Sequence, residues 1–190
     1  MPVLILTLAA SGPETTRYDV RHFSDCRTAS IYAASHPTVG RYLYHVTAKL
    51  MGARTASAGN GRFQGRGTAV LALGASQLQL PRWTWPQSSA AQRAAYDSFA
   101  AALRVHEVGH RTIARAAIQN QVLALTVLAR SREAAEHALR SALATQLRAT
   151  SDELLQKEEL YDRVTEHGKR QSDGPLYGFP GGDDVVFSCP

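Results

Sequence analysis

A chain of 190 residues that is 44% hydrophobic and 19% charged can bury a core of its own and is not a disordered tail. It has no apolar run of the roughly 18 residues that a membrane span needs. Net charge is +5 and lopsided: residues 1–100 carry ten Lys/Arg against four Asp/Glu, residues 101–190 eleven against twelve. No dense Lys/Arg run accompanies the excess, so scattered arginines on a solvated face are expected and a nucleic-acid partner is not. The two cysteines, Cys26 and Cys189, form no Cys-x-x-Cys pair, so nothing supports a cysteine-based zinc site. They either close one disulfide between the C-terminal tail and the N-terminal lobe, as in an oxidising compartment, or stay free thiols.

In chain order, Met1–Ala10 has the apolar content of a signal-peptide core without the basic lead-in, and it suits a buried strand equally well. Glycine and proline then punctuate the chain as far as Pro86. Thr15–Phe23, Thr28–Ala33 and Val39–Leu50 alternate as strands do, and Thr68–Leu80 is an apolar strand, so an antiparallel sheet of roughly four strands is expected. Gly59–Gly67 lacks Gly-Lys-Ser/Thr and precedes a strand, which makes it a hairpin turn or a mobile flap and not a phosphate loop. Leu80–Pro86 leads out of the sheet. Its Trp83 and Trp85 either anchor sheet to helix or line a substrate cleft.

From Ser88 to His167 there is no proline and one glycine, Gly109. Ser89 and Gln92 have the spacing of a capping box. Tyr96, Phe99, Leu103, His106, His110, Ile113 and Ala117 recur at spacings of three and four, one inward stripe of a helix expected to continue to about Leu128. Arg130–Glu133 reads as the turn of a helical hairpin. The second helix shows Leu139, Leu143, Leu147, Thr150, Leu154 and Tyr161 on one face, with Gly168 as C-cap. The organisation expected is one α+β domain over 1–190: a β-rich lobe (1–86), a helical hairpin with the metal site (87–168) and an irregular tail (169–190).

The stretch His106-Glu107-Val108-Gly109-His110 matches His-Glu-x-x-His. With seven His and eight Glu in the chain, chance supplies roughly 0.01 such matches. Four residues apart on a helix, the two imidazoles can hold one metal ion between them, and Glu107 can take a proton from a water on that ion. Two core histidines bonded to ordinary polar neighbours would give the same spacing. A catalytic zinc needs a third protein ligand, for which the candidates are His167, Asp162, Glu133, Glu136 and His137. Glu133 and Glu136 have a suitable sequence spacing, but an unbroken hairpin places them near its turn, far from His106.

Leu80-Pro81-Arg82-Trp83, then His106-Glu107-x-Gly109-His110, then Tyr161-Asp162-x-x-Thr165-x-His167-Gly168, together with Tyr18-Asp19-Val20, resemble a bacterial family regarded as secreted zinc-dependent proteases. That family is a domain of unknown function within the HExxH zincin superfamily, and the resemblance spans about residues 15–171. It implies a zincin-like fold, with an N-terminal antiparallel sheet packed on the hairpin. It also implies Zn2+ held by His106, His110 and His167, with Asp162 orienting a ligand histidine and Tyr161 hydrogen-bonding a developing oxyanion. The implied activity is a metallopeptidase acting on a peptide or protein substrate. Glu107 activates the zinc-bound water that attacks the amide carbonyl, and the sheet's edge strand holds the extended peptide. The alternatives are a metalloenzyme acting on a non-peptide small molecule in a biosynthetic pathway, and a non-catalytic binding module. The family implies an export signal, so the location is secreted by resemblance and cytoplasmic if the chain is complete as given.

Overall fold

The computed structural model describes residues 12–36, 39–118 and 121–190; the apolar start Met1–Ala10, with its signal and strand alternatives, lies outside them. The protein is α+β. Its elements run β1 (Glu14–His22), α1 (Cys26–Ser35), β2 (Arg41–Leu43), β3 (Val46–Gly59), β4 (Arg62–Leu73), β5 (Ser76–Thr84), α2 (Ala90–Ile118), β6 (Val122–Ala129), α3 (Arg132–Val164) and a short 3-10 helix (Gln171–Tyr177). They form two compact units, each assembled from separated segments of the chain. The first unit holds His45–Ala75 and Ala116–Leu154; the second holds Pro13–Tyr44, Ser76–Arg115 and Leu155–Pro190.

In the first unit the sheet order is β3-β4-β6, antiparallel throughout. The glycine-rich stretch is only briefly a turn. Asn60 and Gly61, both at positive φ (51° and 69°), make the two-residue connection of a hairpin, and β4 begins directly after it at Arg62. The expected continuation of the motif helix to Leu128 is wrong: that helix stops at Ile118, and Val122–Ala129 is a strand paired with β4, at the sheet's edge among the described residues. Val, Leu and Thr alternating along eight residues satisfy a strand as well as a helix, and an available sheet edge decides between them. α3 packs on this sheet through Ala135 and Leu139.

The second unit holds a sheet of order β1-β5-β2, in which β1 runs parallel to β5 and β2 antiparallel to it. The single antiparallel sheet expected from the sequence is therefore two sheets, one of them mixed. Val39–Leu50 is likewise not one strand but β2 and β3, in different sheets, and Thr68–Leu80 divides between β4 and β5. Thr28–Ala33 is not a strand. Asp25 caps a helix there by accepting from the Thr28 N–H (2.7 Å), and Cys26 and Ala29 are its buried face. Six residues are too few for period two to exclude period 3.6.

β2 begins opposite Gln79, so among the described residues the later backbone of β5 has no strand partner on that side. The Tyr96 hydroxyl replaces it, donating to the Pro81 carbonyl (3.0 Å) and accepting from the Trp83 N–H (2.9 Å). The capping box opening α2 is formed as expected, with Gln92 N–H on Ser89 Oγ (3.1 Å) and Ser89 N–H on Gln92 Oε1 (3.2 Å). Trp83 is an anchor of the core, packed with Phe99, Leu103, Val185 and Phe187.

The tail is irregular but not loose. Val185 and Phe187 are buried, and Cys189 is bonded to Cys26 across 163 residues. Closing a loop of that length constrains the unfolded chain, so reduction should cost about 2–4 kcal/mol of stability. Thermal melts with and without reductant test this: the wild type should melt lower when reduced, and a Cys26→Ser/Cys189→Ser variant should melt at the reduced temperature in both buffers. Equal wild-type melts would show that the bond contributes nothing.

Candidate metal centre

His106 and His110 lie one turn apart on α2, flanked on the same stripe by buried Leu103 and Ile113. The last turn of α3 brings Asp162 against them. Its Oδ1 stands 3.2 Å from His106 Nε2 and 3.1 Å from His110 Nε2. One donor atom from each of the three lies within 4.8 Å of the others, a set that could hold a metal ion.

The protonation of His106 follows from its other neighbour. Gln171, fully buried, places one side-chain terminus 2.6 Å from the Pro180 carbonyl, which can only accept, so that terminus is the amide nitrogen. The other terminus, Oε1, then faces His106 Nδ1 at 2.8 Å and must receive a proton from it. A neutral His106 with its proton on Nδ1 has a bare lone pair at Nε2, and that lone pair faces a carboxylate oxygen. Two acceptors do not attract one another. Either the imidazole carries a second proton or a cation belongs between them.

Tyr161 fixes both rings from within the protein. It is fully buried, stacks on His106 (4.9 Å between centroids, 18° between planes) and meets His110 edge-on (5.0 Å, 78°). Its hydroxyl donates to the His106 carbonyl (3.3 Å) and accepts from Gln171 Nε2 (2.8 Å). The ring fits because Gly109 has no side chain; a Cβ there would stand 2.1 Å from the Tyr161 hydroxyl. That explains a glycine in the interior of a long helix, where it costs about 1 kcal/mol relative to alanine.

After α3 the chain takes three left-handed residues in succession, Glu166 (φ 49°), His167 (φ 54°) and Gly168 (φ 86°). Two of them are not glycine, a strained arrangement of the sort that clusters at functional sites. The His167 N–H donates to the Asp162 carbonyl (2.7 Å), and Thr165 Oγ1 ties the turn to the Tyr161 carbonyl (2.7 Å). This turn delivers Gln171 to His106. It leaves His167 half-exposed, with Nδ1 3.6 Å from Asp162 Oδ2.

Glu107 is buried (5% exposed) against Gly40, where a Cβ would come within 2.6 Å of its Oε1. Burial pushes its carboxyl up to about 7, outweighing the histidines that favour the charge. Asp162 goes the other way. Burial opposes its charge, but the hydrogen bonds to His106 and His110 prevail and hold the carboxyl well below the usual carboxylate range. Burial alone would lower His110; Asp162, Glu107 and Glu158 together raise it. Glu158, one turn before Asp162 on α3, is raised by burial against the opposing effects of Tyr44 and His110, and its Oε1 is buried without a hydrogen-bond partner among the described residues, 3.8 Å from His110 Nδ1.

These groups line a cleft of about 270 Å³ with Gly40, the β2 residues Arg41–Leu43, and Leu155, Glu158 and Glu159 of α3. Every site residue expected from the motifs is therefore brought together except the hydroxyl of Tyr161, which is absent from the cleft lining and serves the protein side of the histidines. Glu133, Glu136 and His137 belong to the segment of α3 in the first unit, where Glu136 borders another cavity with Leu50 and Leu139. Gln171, Gly40 and Glu158 escaped the sequence reading. Glu158 alone had a signal, an acidic residue one helical turn from Asp162.

Two predictions test this construction. Gly109→Ala should destabilise the protein by about 2–3 kcal/mol despite alanine's better helix propensity, because Tyr161 must move. Tyr161→Phe in the same chain should restore part of the loss in denaturant melts; a Gly109→Ala variant as stable as the wild type would mean the ring does not press on the helix. For the metal-free protein, a Glu107 carboxyl raised from 4.5 to about 7 makes a contribution to stability that is complete below the lower value and lost as pH climbs through the upper one. Glu107→Gln should lack that decline, gaining on the order of 3 kcal/mol over the wild type by pH 8. Parallel pH profiles of the two proteins would refute it.

No curated protein and no solved structure matches the chain. A family match covers residues 36–168, from just before β2 through every candidate ligand to Gly168. On that match the chain belongs to the family described as "Bacterial protein of unknown function (DUF922)".

Proposed function

We propose that the protein is a zincin-like, zinc-dependent metallopeptidase, and the observation that carries this reading is the meeting of His106 Nε2 and His110 Nε2 on one Asp162 oxygen. Donors about 2.1 Å from a tetrahedral zinc stand about 3.4 Å apart, close to the 3.1 and 3.2 Å found here. Two imidazoles and a carboxylate are an ordinary donor set for zinc. Asp162 is the third ligand in this reading. His167, beside the second oxygen of Asp162 and open to the cleft, faces the substrate instead.

When bound, the zinc supplies Lewis acidity, acidifying a water and polarising a carbonyl. Glu107, poised near neutrality at the edge of the cleft, accepts the water's proton as its oxygen forms the new bond to the amide carbon. It returns that proton to the amine nitrogen as the C–N bond breaks. Gln171 keeps the proton of His106 on Nδ1, so Nε2 is free to bind metal. Tyr161 holds both imidazoles at their angles, a positioning role. Gly40 gives the Glu107 carboxylate its place.

A peptide is favoured as substrate because β2, an edge strand among the described residues, borders the cleft. The outer side of an edge strand offers backbone N–H and C=O groups to an extended chain. The Cys26–Cys189 bond accords with work in an oxidising compartment.

Metal analysis of purified protein, with hydrolysis of a quenched peptide library, tests the reading. The wild type should bind one equivalent of zinc, His106→Ala and Asp162→Ala should lose it, and His167→Ala should keep it with impaired turnover. Glu107→Gln should keep zinc and lose about a thousandfold or more in kcat. Zinc retained in Asp162→Ala but lost in His167→Ala would make His167 the third ligand. Full activity in Glu107→Gln would remove the proposed base, and no zinc in the wild type would remove the function.

A further inference from the structure

On the same sheet, a second cavity of about 420 Å³ opens beside the cleft, and its lining is rich in arginine: Arg17, Arg21 and Arg41, beside His36, against one acid, Asp19. Two of these groups are already engaged. Arg21 Nε donates to Asp19 Oδ2 (2.7 Å) and its guanidinium lies over Tyr32 (4.6 Å), on which the His36 ring stacks (3.9 Å). Arg17 and Arg41 have no carboxylate partner among the described residues.

Register explains how the pair is placed. Arg17 of β1 and Arg41 of β2 are both partners of Gln79 on the central strand β5, so the three form one row across the sheet. Residues in register share a face, and strands are about 4.8 Å apart, so the two arginines flank the Gln79 amide on one surface. Each guanidinium presents a planar fork of donors that fits a carboxylate. Arg41 also lines the metal cleft, which makes the two cavities neighbours around the edge of the sheet.

An extended segment pairing along the outer side of β2 would lengthen the row by one strand. Its residue opposite Arg41 would point to the same face as Arg17, Gln79 and Arg41. A lysine there would oppose two unpaired cations, and an acid would complete the row. We propose that Arg17, Gln79 and Arg41 form a carboxylate subsite through which the cleft selects acidic peptides. The inference rests on the metallopeptidase reading for its substrate and on the charge of this surface for its preference.

Arg17, which lines this cavity and not the metal cleft, is the residue to change. Zinc-incubated wild type, Arg17→Gln and Arg17→Glu are assayed on fluorogenic peptides carrying Asp, Asn or Lys at each position in turn, with free or amidated C termini. At one position the wild type should favour Asp over Asn about tenfold in kcat/KM, Arg17→Gln should lose part of that ratio while Arg41 keeps the rest, and Arg17→Glu should lower it further. A preference carried by the free C terminus and not by internal Asp keeps the subsite and assigns it to a terminal carboxylate. Anisotropy of the same labelled peptides on metal-free protein reads binding without activity. Asp peptides that bind through Arg17 but are never cleaved would uphold the subsite and overturn the peptidase. Cleavage with equal Asp and Asn ratios in all three proteins would overturn the subsite and spare the peptidase, and neither selective binding nor cleavage would overturn both.

Discussion

Two imidazole nitrogens and one carboxylate oxygen meet at the centre of the second unit, and the chain has arranged the surroundings so that at least one of those nitrogens is left without its own proton. The Pro180 carbonyl orients the Gln171 amide, the amide draws the proton of His106 to Nδ1, and Nε2 is left facing Asp162. A buried lone pair facing a half-buried carboxylate oxygen is a cost that a second proton on the imidazole, or a cation in the gap, would relieve. Much of the local structure can be understood as holding that contact in place.

The support comes from three directions. From α3, Tyr161 packs on both imidazoles, and Gly109 makes room for it. From the following turn, the left-handed run Glu166–Gly168 reverses the chain tightly enough that Gln171 can reach His106. From the tail, Val185 N–H closes on the Gly168 carbonyl (2.8 Å) and Phe187 enters the aromatic core beside Trp83. The disulfide at Cys189 then ties this last segment to α1. An irregular tail thus becomes part of the wall behind the site, through backbone bonds that no side-chain pattern announces.

How much of this the sequence disclosed varies with the range of the interaction. The motif helix, its capping box and the inward stripe are local, and residues three and four apart declare them. β1 was legible from alternation alone. β6 was not: Val122–Ala129 has no helix breaker before it, and its identity depends on β4 offering an edge. Nor was the parallel pairing of β1 with β5, since parallel partners need a long excursion between them and leave no hairpin signature. At the site, the paired histidines and Glu107 could be named from spacing, and Asp162 and His167 from the resemblance. Gln171 could not, because a buried glutamine acquires its role only when Pro180 and His106 are both in place.

The charges of the metal-free site oppose one another in a way that bears on how it would take up a cation. Glu107 is raised toward neutrality by burial and His110 is raised chiefly by Asp162, so both retain protons more readily than they would in water. Those protons offset the negative charge that Asp162, held low, keeps in the site. A divalent cation entering between the imidazoles would supply the same compensation more strongly, and the protons would then leave. Uptake would be coupled to proton release and to folding stability together, because the charges that the empty fold must neutralise are those the ion would neutralise for it. Were such an ion bound, Glu107 would be left without its proton, the state a general base requires.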